Sequence, residues 1–141
     1  MKNKTFFIFF PLSVLLVGFF LSFSTDSNTL YISKADCESY EGVGNCAQCN
    51  GRWHRSAACG LLAPMKAGDL NAKAKYIAII RQEYLNYKNA ADKATKALKS
   101  LKGKKVSSEV YEAAKKAATD ATEKANQAKA DLDQNTTNNP K

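Results

Sequence analysis

The chain has 141 residues and a formal net charge of +8, with 45% hydrophobic and 24% charged residues. This length allows one modest domain, and the scarcity of large apolar residues beyond the first 25 positions excludes a conventional globular core. The net positive charge is typical of proteins with anionic partners. The N-terminal export pattern described below argues against nucleic acid as that partner.

The N-terminus has the pattern of an export signal or a membrane anchor. Lys2 and Lys4 precede an uncharged, largely apolar stretch over residues 5–25, which orients the N-terminus inward and the remainder outward. The apolar stretch is long for a signal peptide and short for a spanning helix. Ser22 and Ser24 place small residues before a possible cleavage point. Both a cleaved signal and a retained anchor therefore remain open.

Four cysteines lie within a window of 23 residues, with the spacing C-x8-C-x2-C-x9-C formed by Cys37, Cys46, Cys49 and Cys59. In an exported protein this even count predicts two disulfides, although the spacing does not select a pairing. A zinc site built from the same four thiolates, with His54 able to replace one, is the alternative. A thioredoxin-like redox role is a weaker alternative, because no α/β unit accompanies the C-x-x-C motif.

Trp53, His54 and Arg55 are adjacent between the second pair of cysteines. Tryptophan and arginine are common energetic anchors of binding surfaces, so these three residues form a candidate recognition tip. The alternative is that Trp53 packs against the disulfides. His54 is the only histidine, and no serine or cysteine lies in a recognisable nucleophile motif. We therefore predict no catalytic residue and no cofactor.

Residues 69–133 predict two helices that fold back on each other. Asp69 is a good N-cap for a first helix over 69–102, and Gly103 suits the position after its C-terminus. Ser107 or Ser108 can cap a second helix over 107–133. Alanine and lysine dominate both helices, and neither contains an internal glycine or proline.

Apolar residues recur at heptad spacing on both helices, as in a coiled coil. An antiparallel alignment places large residues of the first helix against alanines of the second. Such layers bury little apolar area, so we expect the hairpin to need self-association or a partner protein. The predicted seam comprises Ile80, Tyr84, Tyr87, Ala91, Ala94, Leu98, Leu101, Tyr111, Ala114, Ala118, Ala121, Ala125, Ala128 and Leu132.

The turn between the helices is rich in lysine, with Lys99, Lys102, Lys104 and Lys105 in seven residues. These four side chains are candidates for contact with an anionic surface such as lipid headgroups or a cell-wall polymer. The alternative is a turn whose lysines are simply solvated.

Together these patterns predict an all-α fold: an antiparallel two-helix hairpin preceded by an irregular, cysteine-stapled lobe and an apolar signal or anchor helix. The predicted segments are a signal or anchor over 1–24, a linker over 25–36, a separate lobe over 37–63, the hairpin over 69–133 and a disordered tail over 134–141. The predicted function is that of an exported or membrane-anchored structural protein whose hairpin spaces or docks partners. The alternative is a secreted ligand-binding or effector module that uses the recognition tip. The expected location is periplasmic, extracellular or membrane-anchored.

Overall fold

The computed structural model describes residues 32–137, and the predicted signal or anchor over 1–24 lies outside this range. The described part is mostly helical, with two long helices packed together and a small lobe closed by two disulfides. The elements in chain order are α1 (Lys34–Glu41), β1 (Cys46–Cys49), β2 (Arg52–Arg55), α2 (Ser56–Lys66), α3 (Leu70–Leu101) and α4 (Ser108–Thr137).

The lobe contains two helices and a β-hairpin. The predictions of an irregular lobe and of an all-α fold are therefore wrong for this segment. Helix α1 begins inside the predicted linker because Ser33 and Asp36 form a capping box, in which each side chain bonds the other residue's backbone N–H. Strands β1 and β2 pair antiparallel across the dipeptide Asn50-Gly51. Both of these residues have positive φ, at 50° and 80°, which is the conformation that Asn-Gly favours in two-residue hairpins.

Helix α2 continues past the predicted end of the lobe at residue 63 and contains Pro64. Its apolar residues pack onto the first half of α3, and this tertiary packing accommodates Pro64 within the helix. The chain breaks just afterwards, where Gly68 has a φ of +91°. The resulting cluster has a buried centre of Ala58, Tyr76 and Ile80, surrounded by Leu61, Leu62, Met65, Ile79 and Leu132.

The two long helices begin and end at local signals. Asp69 caps α3 by accepting hydrogen bonds from the backbone N–H groups of Asn71 and Ala72. Gly103, with a φ of +82°, follows the C-terminus of α3. Ser107 then caps α4 by accepting a bond from the N–H of Val110 at 3.3 Å. These capping residues are the ones that the sequence predicts.

Helix α4 extends to Thr137, so residues 134–137 are helical where the sequence predicts a disordered tail. The last turn is held by side chains that bond to the preceding turn. The amide of Asn135 donates to the backbone oxygen of Asp131 at 2.8 Å, and the hydroxyls of Thr136 and Thr137 donate to backbone oxygens three or four residues earlier. Residues 138–141 of the predicted tail lie outside the described range.

Helices α3 and α4 pack antiparallel, because residues in the first half of α3 contact residues near the end of α4. Ile80 and Leu132 share one apolar cluster, and Tyr87 shares another with Ala125 and Ala128. All fourteen residues of the predicted seam are buried or half-buried. Leu70, the first residue of α3, is 76% exposed, whereas Ala72 in the same turn is buried.

The lobe is not a separate unit, in contrast to the prediction from composition. Ile32, just before α1, is fully buried in the cluster that contains Tyr87 and Ala128. The ring of Tyr40 meets the ring of Tyr87 edge to face, with centroids 5.2 Å apart. Lys124 of α4 donates to Asp36 of α1 at 2.6 Å. The lobe therefore supplies part of the apolar partner surface that the hairpin needs.

The close approach of the two helices can be tested by enlarging one alanine. Ala128 is fully buried, whereas Ala130 on the same helix is exposed. We expect Ala128→Leu to lower the free energy of unfolding by about 1–3 kcal/mol through overpacking. The matched change Ala130→Leu should leave it within about 0.5 kcal/mol. Urea denaturation followed by circular dichroism would measure both, and equal effects would contradict this packing.

Candidate functional site

A cluster of polar and charged side chains lies buried or half-buried where the lobe meets both long helices, and we call it the junction: Arg52, His54, Glu83 and Asp131. Arg52 and His54 alternate with Trp53 along β2, so both side chains lie on the strand face turned toward the hairpin. Arg52 is 6% exposed and His54 is fully buried. The Asn50-Gly51 turn sets this register, since it pairs Gln48 with Trp53 and Cys49 with Arg52.

Carboxylates from both long helices complete the junction. Nη2 of Arg52 donates to Oε2 of Glu83 at 3.1 Å and to Oδ2 of Asp131 at 2.8 Å. Nδ1 of His54 lies 2.9 Å from Oε2 of Glu83. The backbone N–H of Arg55 donates to the other oxygen, Oε1, at 2.8 Å. One strand of the lobe is thereby bonded to α3 and α4 together.

Glu83 and Asp131 were missed in the sequence, although Glu83 leaves a signal there. The buried positions of α3 fall at spacings of three or four residues, and Glu83 is the one acid among them. The stripe reads Ala72, Tyr76, Ile80, Glu83, Tyr87 and Ala91. A carboxylate at a position of the apolar face predicts a buried cationic partner. Asp131 leaves no such signal, because it lies beside the seam of an alanine-rich helix.

The junction and the Asp36–Lys124 pair both hold carboxylates in their charged form. Burial by itself would raise the pKa of Glu83, but the hydrogen bonds from His54 and Arg55 and the nearby Arg52 lower that pKa below its ordinary value of 4.5. Burial likewise opposes ionisation of Asp36, yet bonds from Lys124 and Ser33 lower its pKa below 3.8. Both carboxylates therefore bind protons less readily in the folded chain than in the unfolded chain.

Stability is expected to decline in acid for this reason. A carboxylate with a depressed pKa contributes its full stabilisation above the pKa of the unfolded chain and loses it as the pH falls through the folded value. We expect the free energy of unfolding, measured by urea denaturation, to fall progressively below about pH 4.5. Glu83→Gln should flatten this acid limb, whereas Asp92→Asn, at an exposed and solvent-screened ion pair, should change it much less. An equally steep limb in Glu83→Gln would contradict the assignment.

The geometry of the junction favours a structural joint. The carboxylate of Glu83 accepts, so Nδ1 of His54 carries the hydrogen of their bond, and Nε2 lies 3.9 Å from Oδ2 of Asp131. Within residues 32–137 no hydroxyl or thiol bonds to that Nε2. Beside the junction lies a polar depression of about 280 Å³ lined by Asn50, Asp131, Gln134 and Asn135. His54 does not line this depression, and its complete burial separates it from solvent.

The four cysteines form two disulfides, which tie β1 to both flanking helices. Cys37 of α1 pairs with Cys46, and Cys49 pairs with Cys59 of α2. In this structure the pairing leaves none of the four sulfurs as a thiolate for the alternative zinc site. Two disulfides in one small lobe indicate an oxidising compartment outside the cytoplasm.

The candidate recognition tip is divided by the structure. His54 faces inward to the junction, whereas Trp53 lies on the opposite strand face with Lys34 Nζ 5.7 Å from its ring centroid. Arg55 forms an ion pair with Glu41 of α1. The three residues do not form one exposed surface, because side chains alternate between the two faces of a strand.

The lysines of the turn lie at the opposite end of the molecule from the junction. The bonds and apolar clusters that join the lobe to the hairpin within residues 32–137 fall no later than Ala91 in α3 and no earlier than Ala121 in α4. We call residues 92–120, beyond this attachment, the distal arm. Its tip carries exposed Lys99, Lys102, Lys104 and Lys105.

Comparison with known proteins finds no matching family model, no similar curated protein and no similar solved structure. Within the described residues, no helix has both the length and the apolar character that crossing a membrane requires.

Proposed function

We propose that this protein is an exported or membrane-anchored structural protein, in which the disulfide-closed lobe is a rigid base and the coiled-coil hairpin is a docking arm. The observation that carries this proposal is the position of the junction. It bonds the lobe to the first half of α3 and the last third of α4, and leaves the distal arm without an attachment to the lobe in the described structure.

The dimensions of the hairpin support a spacing role. Helix α3 contains 32 residues and α4 contains 30. At a rise of about 1.5 Å per residue, the hairpin is roughly 45–48 Å long. Two long helices joined along a seam resist bending better than one, so the arm holds its tip at a defined distance from the base.

The proposed location follows from the disulfides together with the N-terminal pattern. Disulfides persist in oxidising compartments, and the lysines before the apolar stretch direct the rest of the chain out of the cytoplasm. If that stretch is retained, it anchors the chain beside the lobe, and the arm extends away from the anchor. We propose no enzymatic activity, since the buried His54 is engaged in a structural bond to Glu83.

The docking role can be tested with a photo-crosslinking residue placed at one position in cells that express the chain. Val106 at the end of the arm is 37% exposed, and Val43 in a loop of the lobe is 89% exposed. We expect the probe at Val106 to give a defined crosslinked product and the probe at Val43 to give none, despite its greater exposure. Equal products from both positions would count against a docking arm, as would products from Val43 alone.

A further inference from the structure

The distal arm concentrates the positive charge of the protein. It carries eight lysines and four acidic residues, which is a net charge of +4 out of the total of +8. Among its charged side chains, Lys115 pairs with Glu112 at 3.7 Å, and Asp92 pairs with Lys88, which lies outside the arm. No ion pair within residues 32–137 involves any of the four tip lysines, Lys99, Lys102, Lys104 and Lys105.

Apolar side chains are exposed among these lysines. Val106 follows Lys105 in the loop and is 37% exposed, and Val110 in the first turn of α4 is 49% exposed. Leu101 at the end of α3 is half-buried. The loop itself, residues 102–107, contains no acidic residue. The tip is therefore a small surface that is both cationic and apolar.

The helix termini do not account for the charge at the tip. Helix α3 ends there and α4 begins there, so a negative and a positive dipole end lie side by side and largely cancel. The lysine side chains then dominate the local potential. Because they are exposed and unpaired within the described structure, an anionic surface can approach them without first displacing an acidic side chain.

We propose that the tip binds the surface of an anionic phospholipid bilayer, an inference that rests on the proposed role of the hairpin as a docking arm. Exposed lysines are attracted to anionic headgroups, and apolar side chains between them can enter the headgroup layer. A soluble polyanion would use the lysines alone and would leave Val106 and Val110 in water. The combination of both kinds of side chain therefore favours a bilayer over a charged polymer.

The size of the effect follows from the number of lysines. Each lysine close to an anionic membrane contributes about fivefold in affinity, so the four tip lysines together contribute on the order of several hundredfold. This attraction is screened by salt, because the Debye length shortens from about 30 Å at 0.01 M to about 8 Å at 0.15 M ionic strength.

The test uses the full-length chain carried in nanodiscs of phosphatidylcholine, which cover its apolar N-terminal stretch. The only tryptophan is Trp53, so Trp53→Phe combined with Val106→Trp places a single fluorescent probe at the tip. Added vesicles contain either equal parts of phosphatidylglycerol and phosphatidylcholine or phosphatidylcholine alone. We expect a blue shift of emission with the anionic vesicles, weakened by salt, and no shift with the zwitterionic ones.

A matched pair of variants distinguishes the effect of the tip lysines on binding from the effect of the protein's net charge. Changing the four tip lysines to glutamine should weaken vesicle binding by on the order of several hundredfold at low ionic strength. The control changes Lys66, Lys75, Arg81 and Lys129 to glutamine. These residues are exposed near the base, so the control removes the same charge and should leave binding within about twofold. Equal losses from the two sets would overturn the proposal, as would equal shifts with both kinds of vesicle.

Two further outcomes distinguish this proposal from the docking arm itself. If the tip binds soluble polyphosphate but gives no blue shift with anionic vesicles, the bilayer is the wrong partner. If Val106 crosslinks to a protein in cells while the vesicles give no response, the docking arm stands and the lipid proposal fails.

Discussion

Glu83→Ala is expected to destabilise the fold by about 3–5 kcal/mol, because it removes one partner of a buried ionic network and leaves the others in place. Arg52 would keep Asp131 as a partner, but the bonds of Glu83 with His54 and with the backbone N–H of Arg55 would be lost. A buried donor without an acceptor loses its hydration without compensation. The change therefore costs far more than an average point substitution.

The measurement is urea denaturation at neutral pH, followed by far-ultraviolet circular dichroism and by the emission of Trp53. The control is Gln82→Ala at the neighbouring exposed position, where the side chain bonds only to Asn86 within the described structure. We expect that change to alter the free energy of unfolding by less than about 0.5 kcal/mol. Glu83→Gln keeps the shape and one acceptor, so its loss should be smaller and measurable even if Glu83→Ala does not fold. Similar free energies for Glu83→Ala and Gln82→Ala would show that the junction contributes little.

Removing both disulfides is expected to release the lobe while much of the helix content remains. Each bond closes a short loop, with partners separated by 9 and 10 positions. A loop of this length corresponds to about 2–3 kcal/mol of stabilisation, so the two together supply about 5 kcal/mol. Without them α1 and the β-hairpin must order through a small apolar area and their polar bonds to α3 and α4. Helices α3 and α4 share a long seam of their own and should lose less structure.

Two spectroscopic signals should therefore respond differently to the loss of the disulfides. In the variant with Cys37, Cys46, Cys49 and Cys59 changed to serine, the emission of Trp53 should move toward that of the unfolded chain. The far-ultraviolet signal should keep most of its helical intensity. A reducing agent should change the emission of the original protein in the same way, and it should have no effect on the serine variant. A lobe that keeps its native Trp53 emission after reduction would contradict the role assigned to the disulfides.

The hairpin was predicted from the sequence because its signals are local. Capping residues such as Asp69 and Ser107 bond to the backbone within three positions, and Gly103 supplies the positive φ that ends α3. The seam could be predicted because heptad spacing places its residues on one face of each helix. The two-residue turn Asn50-Gly51 is also a local signal for a β-hairpin, although the cysteine spacing by itself predicts an irregular lobe.

The hairpin was expected to need a partner for stability, and the structure shows another source of part of that stabilisation. The alanine-rich seam buries little area, and the prediction assigned the missing stabilisation to self-association or to another protein. Part of it comes from within the chain. Helix α2 covers Tyr76 and Ile80, and Ile32 packs with Tyr87 and Ala128. Whether the hairpin also associates with a partner stays a prediction.

The sequence by itself determined the two long helices, the residues that begin each of them, the end of α3, the chemistry of the cysteines and the basic character of the arm, because each depends on residue type or on spacing within a few positions. Only the tertiary structure decided that the lobe docks on the hairpin and that Arg52, His54, Glu83 and Asp131 meet there. Their bonds join residues 29 to 79 positions apart. The local pattern of residues cannot predict contacts between positions so far apart in the chain. These contacts form only when helix packing and the strand register bring separate segments together.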